Sequence, residues 1–523
     1  MPTKQLSIEY IIDGGWATDL GNTLAASNVA ENGGIVRVPF LTRAENTQYG
    51  LDGRVKKSEG AIKFNSGAIS GTPTIKGLFE YFRQNTNGTP TRKRLAHAGT
   101  VIYKEDLDGT WDSLATGKAN GAIPDYTVAN DILVIASSAV ADVPFSWDQT
   151  TFQNLAGSPP NFSFSEWHQS RLFAAGVVSA PSTVYWSNRN NPEDWTDDTG
   201  AGNITISPQD GDRIVALASH RGDLIVFKGP YHGSIWRIKG SAPFGDEAFR
   251  VELVMKGVGA LTHRCVVNMG NDKAFMDVDG TWHSLNATAE YGDYNNRFLS
   301  FDIDTYIREQ ITTNQLENAQ AVTHPNRNQI YITVPSDSSS TNNCVLVLDY
   351  RFKRPRWSIL TNPSAASIAI FKNSSLVDTL HFGGYDDGQV LIGEQFVRNW
   401  DGDPIGMNVE FPHANMGKFD SLKTLTQLRL NVKPTGAYDI TVNYIQDGDS
   451  QTTTFTQSSG GALGSFVLGT DPLGGSTYES IIRDDVQGEF RNMVLQMLQG
   501  NVNENAEIQS IGMSVSMSDM GGE

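Results

Sequence analysis

The chain has 523 residues, 40 basic against 58 acidic side chains for a formal net charge of −18, and two cysteines. That length exceeds one ordinary core and predicts two or three domains or one large repeat body. The acidic balance argues against gripping nucleic acid, whose affinity comes mainly from cations on phosphates, and two cysteines without a Cys-x-x-Cys spacing exclude a disulfide scaffold and a cysteine zinc site.

Apolar residues at 39%, beside 51 glycines, suffice to bury a core. No run reaches the roughly 20 apolar residues of a membrane span. The opening "MPTKQLSIEYIIDGG" has one lysine and a broken apolar patch, unlike a signal peptide, and predicts a soluble protein made in a cytoplasm. Residues 1–45 are Gly/Asn-rich with scattered strand signals and predict an extended arm or a strand that closes a ring.

From there strand signals dominate. "DILVIASS" (131–138), "DRIVALAS" (212–219), "DLIVFK" (223–228), "QIYITV" (329–334), "CVLVLDY" (344–350), "SIAIFK" (367–372) and "QVLIGE" (389–394) are short, rich in Val and Ile, and bounded by turn formers. Tight turns at Arg221–Gly222 and at Asp386–Asp387–Gly388 join such runs into hairpins. One stretch reads as helix, "DTYIREQITTNQL" (304–316), with Asp304 as N-cap and Ile307 and Ile311 on one face. Cys265 and Cys344 border apolar runs and read as buried thiols.

Many short hairpins need a way to avoid open sheet edges, and a β-propeller over residues 46–400 supplies one, with six to eight blades and seven as the working number. A repeated phrase supports it. "DLDGTWDSL" (106–114) and "DVDGTWHSL" (277–285) share seven of nine positions and lie 171 residues apart, about four blades. This predicts that Asp106, Asp108, Gly109 and Trp111 occupy the same blade corner as Asp277, Asp279, Gly280 and Trp282. "RPRWSIL" (354–360) is a weaker echo. Past the turn-rich "NWDGDPIG" (399–406), residues 401–523 alternate cleanly, as in "QLRLNVK" (427–433) and "YDITVNY" (438–444), and predict a β-sandwich.

Chemical motifs are weak. The Asp-Gly-Thr-Trp phrase partly matches the Asp-box of sialidases, but Asp and Gly are adjacent and the Ser is missing. The same Asp-x-Asp-Gly lacks further oxygen ligands for calcium, since Lys104 and Phe275 stand where one would fall. Arg221-Gly222-Asp223 reads as a hairpin turn, and no nucleophile elbow, phosphate loop or zinc motif occurs. The densest basic cluster, "RFKRPRW" with Arg351, Lys353, Arg354 and Arg356, is a candidate interface. No catalytic residue, cofactor or metal is expected, and the chain reads as a non-enzyme.

Longer stretches resemble a known group. "IVRVPFLTRAENTQYGLDGRVKKSEGAIKF" (35–64), "SRLFAAGVVSAPSTVYWSNRNNPEDWT" (170–196), "GDRIVALASHRGDLIVFKGPYHGSIWRIKG" (211–240) and "DTYIREQITTNQLENAQAVTHPNRNQIYITVPS" (304–336) are similar to tail nozzle, or packaged-DNA stabilisation, proteins of short-tailed bacteriophages. The resemblance covers about two thirds of the chain and lies in strand phrasing rather than in a catalytic signature. It implies a virion structural protein forming a homohexamer below the portal and adaptor, assembled in the host cytoplasm. Such a ring retains packaged DNA and conducts it during ejection, meeting tailspikes or fibres and a needle or plug, with double-stranded DNA passing its lumen unbound. The alternative is a sialidase-like or carbohydrate-binding propeller.

Overall fold

The computed structural model describes residues 4–12, 14–18, 34–38, 40–64, 67–84, 88–139, 142–196, 200–287, 294–414, 421–433, 436, 438–457 and 480–517. The chain is all-β, 53% strand and 4% helix, and its strands build a β-propeller joined to a sandwich.

Six blades are antiparallel meanders of four consecutive strands. Their innermost strands are Ile75–Gln84, Pro124–Ala129, Phe164–His168, Arg213–His220, Val266–Met269 and Gln320–His324, numbered here as blades 1 to 6. A seventh four-stranded unit is composite. Ser367–Lys372, Asp378–Gly383 and Val390–Gln395 receive their outer strand, Gly60–Lys63, from the N-terminal side, with Ile62 opposite Ile392. Ser367–Lys372 then packs against Ile75–Gln84 and the ring is closed. The closing strand thus lies outside residues 1–45, where the sequence suggested it.

Burial explains which strands are legible. A blade's second strand is covered by blades on both faces, so Gln329–Val334 and Arg171–Ala175 are buried at every position and read as unbroken apolar runs. Outer strands such as Arg250–Lys256 face solvent and lack that signature.

The described strands within residues 1–45 are no free arm. Lys4–Ile12 runs antiparallel to Glu507–Met517, and Gly34–Val38 runs parallel to Lys4–Ile12, so the start of the chain is woven into the sheet that holds its last described strand. Three residues, Arg43–Glu45, stitch the two lobes together. Glu45 pairs with Ile359 on the outer strand of blade 6, while Arg43 to Glu45 pair with Met407–Glu410 of the sandwich. One nine-stranded sheet therefore runs from blade 6 through the sandwich. One hydrophobic core follows it, holding Trp282, Ile330 and Trp357 of the ring together with Ile8, Leu428 and Met513.

The sandwich strands keep the period of two, with Asp439–Gln446 and Met493–Gln499 alternating between core and surface. The expected helix is shorter than its pattern. Asp304–Gln310 is helical, Ile311 turns extended, and Thr313–Asn318 is a 3-10 segment. Asp304 is not the N-cap; that position is Ile303, and the Asp304 carboxylate instead holds Arg308 Nε at 2.8 Å, one turn on. Ile307 and Ile311 are buried, as are both cysteines, and burial pushes the Cys265 thiol up to about 11.

Candidate functional site

The repeated phrase forms the same turn twice in different corners. In both copies the second aspartate caps a hairpin. Asp108 Oδ1 accepts from Thr110 N–H at 2.9 Å and from its hydroxyl at 2.8 Å, and Asp279 Oδ1 accepts from Thr281 at 3.0 and 2.5 Å. Gly109 and Gly280 supply the positive φ the turn demands, +84° and +87°. The expected equivalence fails, however. Asp106–Trp111 joins the third and fourth strands of blade 1, whereas Asp277–Thr281 joins the second and third of blade 5. Because strands alternate in direction, the two turns lie on opposite faces of the ring. The echo at Trp357 enters the fourth strand of blade 6 and so matches the first copy.

The surroundings differ accordingly. Asp106 lies between Lys93 and Lys104, at 3.0 and 2.5 Å, and the two ammonium groups outweigh its burial and hold its carboxyl below the usual range. Burial raises Asp277 instead. Trp111 is half-buried and Trp282 fully buried. A Cβ on Gly109 would meet nothing within 4 Å, but one on Gly280 would lie 3.0 Å from Leu316 and 3.2 Å from Ile307. Gly109→Ala should therefore cost only the left-handed strain, about 1–2 kcal/mol, and Gly280→Ala measurably more; urea midpoints of the two variants compare them directly.

The basic cluster is tied down within the chain. Arg351 grips Asp349, with Nε 2.9 Å from Oδ1, and donates to the Tyr49 carbonyl at 2.7 Å. Arg354 pairs with Asp302, and the Arg356 guanidinium stacks 3.8 Å from the Phe352 ring centre. Lys353 is exposed. The cluster borders the seam between ring and sandwich.

The site that sequence reasoning missed lies on the propeller axis. The 3-10 turn His263–Cys265, just before the inner strand of blade 5, reaches blades it does not adjoin. The His263 ring stacks on Phe164 of blade 3 at 5.0 Å, and its Nδ1 accepts the Leu217 N–H of blade 4 at 3.3 Å. In the neutral ring that bond leaves the proton on Nε2, which faces Asp125 Oδ1 of blade 2 at 3.5 Å. Asp125 also accepts the Ser165 N–H at 3.0 Å, and burial, which outweighs His263 beside it, raises its carboxyl. Arg264 donates to the Glu317 carbonyl before blade 6 at 2.6 Å and stands near Lys76 of blade 1, whose ammonium is pushed down by burial first and by Arg264 second. From the start of blade 5, one turn thus holds blades 2, 3 and 4 and the segment before blade 6, across the region of the axis. "LTHRC" carries no motif, so only the fold could disclose it.

No family model and no curated protein matches the chain. Among solved structures it is similar to one titled "YCF48 bound to D1 peptide", at 8% identity and a TM-score of 0.38, covering 65% of this chain and 98% of that one. That likeness carries no argument about function. The chain is a β-propeller protein, on its sheet topology.

Proposed function

We propose that this chain is the wall subunit of a homohexameric tail nozzle of a short-tailed bacteriophage. It would sit below the portal and adaptor, retain packaged DNA, and conduct it during ejection without chemistry of its own. The observation that carries the reading is the rigid build of the subunit: the nine-stranded sheet that joins ring to sandwich, with the propeller axis bridged by His263 and Arg264. A bridged axis suits a wall subunit, which needs no ligand site there. On this reading DNA runs between subunits and not through any one propeller. The charge of −18 per chain keeps phosphates from adhering to the lumen. The four nozzle-like stretches given above support the same assignment.

Light scattering with negative-stain imaging of the purified protein tests it. A sixfold ring with a central hole is expected, alone or after addition of the adaptor. A monomer that stays monomeric with the adaptor and that binds or cleaves glycans would replace the nozzle with the sugar-handling reading.

A further inference from the structure

We infer that the outer face of the sandwich carries a cleft that binds the oxyanion group, carboxylate or phosphate, of a small ligand. The inference is independent of the nozzle reading. In the sheet containing Lys4–Ile12, Glu507–Met517, Lys423–Val432 and Ser480–Asp484, alternation sends Ile8, Leu428 and Ile511 into the core and their neighbours outward. The register lines up one outward row across all four strands: Glu9, Gly512, Arg429 and Arg483.

Three features of that row point to a ligand. Arg429 and Arg483 are directly opposed, an arrangement that destabilises a sheet unless something anionic lies between them. Neither forms an ion pair among the described residues, whereas the other arginines of this acidic chain commonly do: Arg94 with Glu80 and Glu105, Arg327 with Glu59 and Glu394, Arg351 with Asp349. Lastly, Gly512 leaves the floor open. A Cβ there would stand 3.2 Å from Arg429 Nε, so its absence lets the guanidinium lie across the sheet and donate to the Ser7 hydroxyl at 2.6 Å.

The result is a cleft of about 310 Å³ with Arg483 and exposed Ile481 at one end and the Arg429 guanidinium lying across its floor toward Ser7. That volume is at the small end of ligand sites. Glu9, the cleft's one carboxylate among the described residues, shares its strand with Ser7 at the end away from Arg483 and accepts the Ser510 hydroxyl at 2.5 Å. An anion therefore seats at the Arg483 end, with Arg429 on its inner side, and the ligand's neutral or donor groups face Glu9. Planar guanidinium groups suit either carboxylate or phosphate.

The test is calorimetric titration of the full chain with inorganic phosphate and, separately, with acetate, at constant ionic strength. Saturable binding of one or both is expected, and whichever binds more tightly identifies the source of the oxyanion. Arg483→Gln should raise Kd about tenfold or more, the loss of one charge-assisted hydrogen-bonding group. Ile481→Asp, which leaves both arginines in place and brings a negative charge to the lip, should weaken binding likewise. Arg250→Gln, an exposed arginine on blade 4, should leave Kd unchanged. Absence of saturable binding of both anions, or equal Kd values for all four proteins, would overturn the proposal. Far-UV circular dichroism of each variant separates lost binding from lost fold.

Discussion

Replacing Glu394 by alanine is expected to lower stability by about 3–5 kcal/mol, the range for removing one partner from a buried ion pair. Its side chain is 9% exposed and sits where the ring closes. The Glu394 carboxylate meets His324 Nε2 at 3.0 Å and Arg327 Nε at 3.2 Å, and accepts the Tyr331 hydroxyl. Arg327 in turn holds Glu59 at 2.7 Å, next to the closing strand Gly60–Lys63. Blade 6, the composite unit and the strand that completes it thus share one buried network. A register shift between Ile392 and Gln395 turns Glu394 into it, at φ +57°, and a bulge is the usual device for re-aiming a side chain.

The pH dependence has a definite sign. Burial pushes the Glu394 carboxyl up, but His324, Arg327 and Tyr331 together hold it below the usual carboxylate value. A lowered folded value stabilises the protein above the unfolded value, near 4.3, and that contribution is lost as pH falls through the folded one. Urea titrations of the wild type and Glu394→Gln should therefore differ most at neutral pH and converge in acid, below about pH 4. A gap that stayed constant over that range would mean the charge does not matter there.

How much of this was legible in the sequence follows from how local each signal is. The runs at 131–138, 329–334 and 344–350 were readable because strands covered on both faces need apolar side chains throughout. The sandwich was readable because its strands alternate. The Asp-Gly-Thr turns were readable as turns, since their chemistry spans three residues. Their place in a blade was not, because the same turn closes any hairpin and nothing within it counts strands. Least legible were the pairings across the chain. Lys4 faces Met517, and Glu45 lies beside Ile359; the sequence of either strand gives no hint of a partner hundreds of residues away. The axial bridge was hidden for a related reason. His263 acquires meaning only when the ring brings Asp125, Phe164 and Leu217 around it.

Trp357→Ala should be comparably severe, costing about 3–5 kcal/mol, because a fully buried ring would be deleted at the seam between lobes. Trp357 lies on Arg356–Leu360, the strand of blade 6 that borders Arg43–Glu45. Its Nε1 donates to the Leu299 carbonyl at 3.0 Å, a bond alanine cannot make, leaving that acceptor buried and unmet. Its own carbonyl accepts the Tyr49 hydroxyl at 2.7 Å and the Trp16 N–H at 3.3 Å, so residues from the start of the chain are anchored at the same point. Since one core spans ring and sandwich, the loss should be felt by both. Scanning calorimetry is expected to show a single transition moved to lower temperature. A variant in which one transition moved and a second stayed in place would show that the lobes unfold separately despite their common sheet. Trp111→Ala is the matched comparison. That tryptophan enters the equivalent strand of blade 1 but is half-buried, its ring 6.1 Å from Phe64 and packed on a cluster separate from the core at the seam, and its removal should cost less and leave the sandwich untouched.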